Sequence, residues 1–104
     1  VGVLLSGAPR ILGAQDKAKI DQGAALFTSQ KCAMCHAIAG KGNAKGTLDG
    51  VGAKLAEADI RAWLTDPEGM RTKTNATRTP AMKKAPLSSG QVDALAAYLS
   101  SLKK

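Results

Sequence analysis

The run Cys32-Ala33-Met34-Cys35-His36 constrains this chain more than any other stretch. It has the form C-x-x-C-H, the pattern of covalent c-type haem attachment. Each part has a chemical reason. Two thiols add across the two vinyl groups of haem and form two thioether bonds. A two-residue gap sets both sulfurs along one edge of the porphyrin. The imidazole of His36, next in the chain, then reaches the iron as proximal ligand. A cofactor attached in this way cannot dissociate, which suits a small carrier working outside the cytoplasm.

Other uses of the motif fit less well. A structural zinc site takes four ligands, usually from two such pairs. The chain has no further cysteine or histidine. A disulfide oxidoreductase carries C-x-x-C on a strand–helix unit, and no strand-period run surrounds Cys32. A plain structural disulfide across two residues would be strained.

The rest of the composition asks for a large apolar guest. The chain has 104 residues, the size of one domain. Its aromatics are Phe27, Trp63 and Tyr98, and much of its apolar content is alanine. Haem therefore serves as the centre of the core, and the chain without it folds poorly.

Net charge is +7, from 15 basic and 8 acidic residues. Nucleic-acid binding is disfavoured, because the lysines are scattered and no basic, aromatic-lined surface is suggested. A basic rim that steers an acidic redox partner fits better. Residues 1–15 stand apart as an N-terminal extension or the remnant of a targeting segment, ahead of a domain over 16–104. Val1–Leu5 is too short to span a bilayer, and the extension lacks the basic n-region of a complete signal peptide.

Periodicity predicts an all-α fold. Ile20, Gly23, Ala24 and Phe27 repeat along one face of a helix from about Asp16 to Ser29. Gly23 costs that helix about 1 kcal/mol in propensity, which is the mark of a close approach by another helix. Residues 37–54 hold five glycines and read as a long loop wrapping the haem edge. A second helix covers about Ala56–Thr65, with Ile60, Trp63 and Leu64 on its apolar face. Asp66-Pro67 stops it, because the residue before proline avoids the α region. Residues 68–87 read as polar and irregular. Ser88 and Gln91 form a capping box for a last helix, along which Val92, Leu95, Ala96, Leu99 and Leu102 trace one face.

The iron needs a sixth ligand or an open site. With a single histidine, bis-histidine ligation within the chain is impossible. Met34 lies between the two anchored cysteines and cannot reach the opposite face. Met70 and Met82 both lie in the irregular segment. Met82 is the expected ligand, since Pro80 stiffens its approach, and Met70 is the alternative. A thioether favours Fe(II) and raises the reduction potential. Two occupied axial positions also argue for electron transfer over oxygen or peroxide chemistry.

Together these residues resemble the class I cytochromes c, bacterial, monohaem and His/Met-ligated, over about residues 16–104. Gly23 and Phe27 look like the glycine and aromatic of that family's first helix. Cys32, Cys35 and His36 match its haem motif. Gly46, Leu48 and Gly50 look like its glycine–proline–leucine loop, Met82 like its distal methionine, and Leu95 with Tyr98 like the pair on its last helix. The resemblance implies a small fold of three to four helices and long loops around one covalent haem c. Its terminal helices cross, with Gly23 against Leu95 and Tyr98. There are departures. Thr47 replaces the family's proline, whose carbonyl accepts a hydrogen bond from the proximal histidine. The segment from Pro67 to Met82 is longer than in mitochondrial relatives. Trp63 stands where some relatives place a tyrosine near the methionine sulfur, and its N–H is a candidate donor to that sulfur or to a haem propionate.

The function implied is a periplasmic single-electron carrier rather than an enzyme. It would be a monomer that docks on acidic surfaces of redox partner proteins. The alternative is a haem-bearing subunit or domain of a periplasmic oxidoreductase complex, a reading drawn from the apolar N-terminal extension. A peroxidase or gas sensor follows only if Met82 does not bind iron.

Overall fold

Two helices from opposite ends of the sequence form the frame. The structure, a computed structural model, describes residues 8–104, with side chains from Asp16 onward. Helix α1 spans Ala8–Ser29 and so begins eight residues before the expected start. Of the expected N-terminal extension, residues 1–7 lie outside the described residues. Among the described residues no helix is long and apolar enough to cross a membrane.

The last helix, Ser89–Ser100, starts where the capping box puts it. Ser88 Oγ accepts the Gln91 N–H at 3.2 Å, and Gln91 Oε1 accepts the Ser88 N–H at 2.9 Å. It crosses α1 at Gly23. A Cβ added there would overlap the carbonyl oxygen of Ala94 and the Cβ of Tyr98. The atoms nearest Gly23 thus belong to Ala94 and Tyr98, and Leu95 shares the buried cluster with Phe27 of α1. Leu95 turns into the core, where it is 1% exposed. Phe27 and Tyr98 meet edge to face, ring centroids 6.3 Å apart and planes at 65°, a favoured aromatic geometry.

The long glycine-rich segment is more ordered than its composition suggests. Strands β1, Ala37–Ile38, and β2, Lys41–Gly42, pair antiparallel. Between them Ala39 and Gly40 both have positive φ, as a tight two-residue hairpin requires. The Asp49 carboxylate accepts the Ala39 N–H at 2.7 Å and braces the turn. A 3-10 turn follows at Ala44–Gly46, and a single helical turn, α2, at Val51–Lys54. Strands of two residues are too short to show a period.

Helix α3, Glu57–Thr65, buries Ile60 and Leu64 on one side. It ends at Asp66, as expected, but Asp66-Pro67 also starts a helix that the sequence reading missed. Helix α4 spans Pro67–Thr74, so residues 68–87 are irregular only beyond it. Pro67 occupies the first helical positions, where its missing N–H costs nothing. The Asp66 side chain accepts the Gly69 N–H at 3.1 Å, and Asn75, with φ 57°, closes the C-terminal end. The last helix is then α5. Arg61 of α3 reaches it, donating to Asp93 at 2.6 Å while holding Glu57 at 3.1 Å.

Phe27, Ile60, Leu64, Val92, Leu95, Ala96 and Leu99 form the buried cluster. Leu95 is the only large side chain among the described residues that is fully buried. The layer of packed side chains is thin, and it stops at a cavity.

Candidate functional site

The cavity has a volume of about 600 Å³. Cys32, Cys35, His36 and Met82 all line it, against apolar walls that include Phe27, Leu64 and Leu99.

The motif is shaped by one turn of helix. Lys31, with φ 61°, breaks the direction of the chain after α1, and Cys32–Met34 then form a 3-10 helix. The Cys35 and His36 amides both donate to the Cys32 carbonyl, at 3.1 and 3.0 Å. With three residues per turn, side chains at i and i+3 eclipse one another. That places the two thiols along one edge, which is what a two-residue gap is for. Both cysteines are free, and burial pushes the Cys32 thiol pKa up.

His36 is half-buried and held by its ring. Its Nδ1 lies 2.9 Å from the Gly46 carbonyl oxygen. With Nδ1–H donating, the proton is fixed there and Nε2 is left with its lone pair. Burial lowers the His36 pKa; the Gly46 bond opposes that, and the positive charge of Arg78 adds to it. The neutral imidazole that results is the form that ligates metal. The accepting carbonyl belongs to Gly46 and not to Thr47, where the resemblance located it. A Cβ at Gly46 would overlap the Cys35 carbonyl oxygen and the Arg78 guanidinium. The loop can therefore lie flat against the motif only with glycine there. The next turn is pinned as well, since the Leu48 N–H donates to the Ala37 carbonyl at 2.8 Å.

The methionines separate cleanly. Met82 lines the cavity and is 36% exposed, whereas Met70, on α4, is 7% exposed and not among the lining residues. Met34 is 71% exposed beside the two cysteines. Met82 rides on a bare stretch of backbone: among the described residues no hydrogen bond joins residues 77–84 to anything else.

Trp63 lines the cavity, and so do two residues that the sequence reading passed over, Arg71 and Arg78. Nothing in the local sequence separates them from surface arginines. They reach the cavity because α4 and the segment after it fold back over it. The whole set suits haem: two thiols on one edge, a neutral imidazole with one nitrogen to spare, a thioether, apolar walls and a cationic lining.

A family model described as Cytochrome c matches residues 20–103. No curated protein and no solved structure matches the chain.

Proposed function

The chain belongs to the cytochrome c family, and from that premise we propose that it is a periplasmic single-electron carrier whose haem is held by Cys32, Cys35, His36 and Met82. Covalent c-type haem is the cofactor of that family. When bound, it supplies a one-electron couple. The chain's own residues do the rest. Cys32 and Cys35 anchor the group through thioether bonds, and His36 presents Nε2 while Gly46 holds its other nitrogen. Met82 supplies the sixth ligand, a soft sulfur that favours the reduced state. The observation that carries this reading is that Met82 shares one cavity with the complete C-x-x-C-H motif while Met70 packs elsewhere.

The exposed Met34 beside the cysteines, and Lys31 at the cavity edge, mark the face that meets a partner. With net charge +7, the partner's docking surface is acidic. A haem-bearing subunit of a periplasmic complex is the second reading, favoured by the extension of α1 back to Ala8.

An optical spectrum of the oxidised holoprotein tests the ligand set. A weak far-red methionine–iron band is expected, lost in Met82→Ala and kept in Met70→Ala. Wild type that lacks the band and binds carbon monoxide rapidly would instead be a sensor or peroxidase. Size-exclusion chromatography of the native protein separates carrier from subunit.

A further inference from the structure

Gly46 lies ten residues beyond His36, and its carbonyl oxygen can hold the His36 Nδ1 only if the turn that carries it is itself held. Asn43 makes that attachment. It stands at the head of the 3-10 turn Ala44–Gly46, and each of its polar groups is bonded. On one side it grips the C-x-x-C-H run. Its backbone N–H is shared between the Ala33 and His36 carbonyls, at 3.1 Å each, and its Nδ2 donates to the Met34 carbonyl at 3.2 Å. On the other side it grips the turn. Its Oδ1 accepts the Lys45 N–H at 3.0 Å, and its carbonyl accepts the Gly46 N–H at 3.1 Å. Gly42, at φ 112°, brings the chain in against the His36 carbonyl, where a Cβ would overlap.

A hydrogen bond at the second nitrogen of a ligating histidine fixes the ring and raises its basicity. A more basic imidazole favours Fe(III). We propose that Asn43 is a positioning residue for the iron: by bridging Met34 and the turn, its side chain holds the Gly46 carbonyl on the His36 Nδ1–H, keeps Nε2 strongly donating, and lowers the reduction potential. The proposal rests on the reading of His36 as the proximal ligand. Its two side-chain bonds can be separated. A serine caps a helical turn about as well as an asparagine, but its shorter side chain cannot also reach Met34. Asn43→Ser therefore keeps the cap and removes the bridge.

The test combines spectroelectrochemical titration with proton magnetic resonance of the reduced holoprotein, the mass of each variant being checked for one haem. In Asn43→Ser the reduced-to-oxidised ratio at a fixed applied potential should rise about threefold, a shift of about 28 mV at about 59 mV per tenfold for a one-electron couple. The His36 Nδ1–H should exchange with solvent about tenfold faster, as a weakened outer-shell bond allows. The melting midpoint should stay near that of wild type. Asp49→Ala controls for ordinary loosening of the segment. It frees the Ala39 N–H and should lower the melting midpoint while potential and exchange keep their wild-type values. Unshifted potential and exchange in Asn43→Ser overturn the proposal, because the bridge to Met34 is then idle. Equal shifts in Asp49→Ala overturn it too, by making the effect one of loop stability. If Asn43→Ser fails to mature, Asn43→Asp, which also keeps the cap and loses the donor, decides by the same two readouts. A wild type whose His36 ring protons lack the upfield shift of a haem-bound imidazole overturns the ligation reading first, and this proposal with it.

Discussion

Gly46 serves the site with its carbonyl and with its lack of a side chain. Because an added methyl meets the Cys35 carbonyl and Arg78, Gly46→Ala must displace the loop that holds His36. A loss of about 1–3 kcal/mol is expected from such overpacking, read as a lowered denaturation midpoint of the holoprotein. On the proposed ligand set, Met82→His should keep a six-coordinate iron and lower the potential, since imidazole lacks the thioether's preference for Fe(II). Potentiometry of that variant checks it. Met70→Ala should cost about 2–5 kcal/mol of stability, as deleting a buried methionine side chain does, and leave the sixth site closed to carbon monoxide. At this scale the sequence was informative where a function needs a rare side chain. The motif is contiguous, and of the two methionines outside it Met82 is the one that lines the cavity. It was silent on the Gly46 carbonyl, because any residue carries one, and on Arg71, because only the path of α4 decides whether an arginine reaches the cavity.

The α1–α5 crossing is a sharper test of backbone packing than any single core residue. Gly23→Ala should gain about 1 kcal/mol in helix propensity. It should still destabilise the protein, because the obstructing atom is the Ala94 backbone carbonyl, which cannot rotate away. Thermal denaturation of the holoprotein reads the sign. The α3–α5 contact predicts a pH effect. Arg61, donating a hydrogen bond to Asp93, lowers the Asp93 pKa below its ordinary 3.8. A depressed carboxyl pKa stabilises the fold above the unfolded value, and that contribution is lost as pH falls through the folded one. Asp93→Asn should therefore melt below wild type at pH 7, and the gap should close in acid beneath that range. Helices α3 and α5 were legible because each carries a buried apolar stripe, and α5 a capping box as well. Helix α4 was not, because only Pro67 and Met70 of its eight residues are buried, and a proline after Asp reads as a stop even when it is also a start.

On the scale of the molecule, the side-chain core and the cavity are two halves of one interior. With a single large side chain fully buried among the described residues and about 600 Å³ left to fill, protein matured without haem should show no cooperative unfolding transition by circular dichroism. The holoprotein, whose polypeptide carries net charge +7, should transfer electrons to an acidic partner more slowly as salt rises and the Debye length falls to about 3 Å at 1 M. Stopped-flow kinetics across ionic strength measure that directly.

The cavity's two sides are also unequal in how firmly the backbone holds them. The histidine side hangs from a lattice: His36 is bonded through its amide, its carbonyl and its ring. The methionine side, residues 77–84, has no such bond among the described residues. Local opening follows the weakest region of a fold. In deuterium exchange of the holoprotein, the amides of 77–84 should therefore label first and those of 36–48 far later. If Met82 holds the sixth position, an incoming small ligand should accordingly gain the iron by waiting for that sulfur to leave, at a rate set by that opening and independent of ligand concentration once the ligand is abundant.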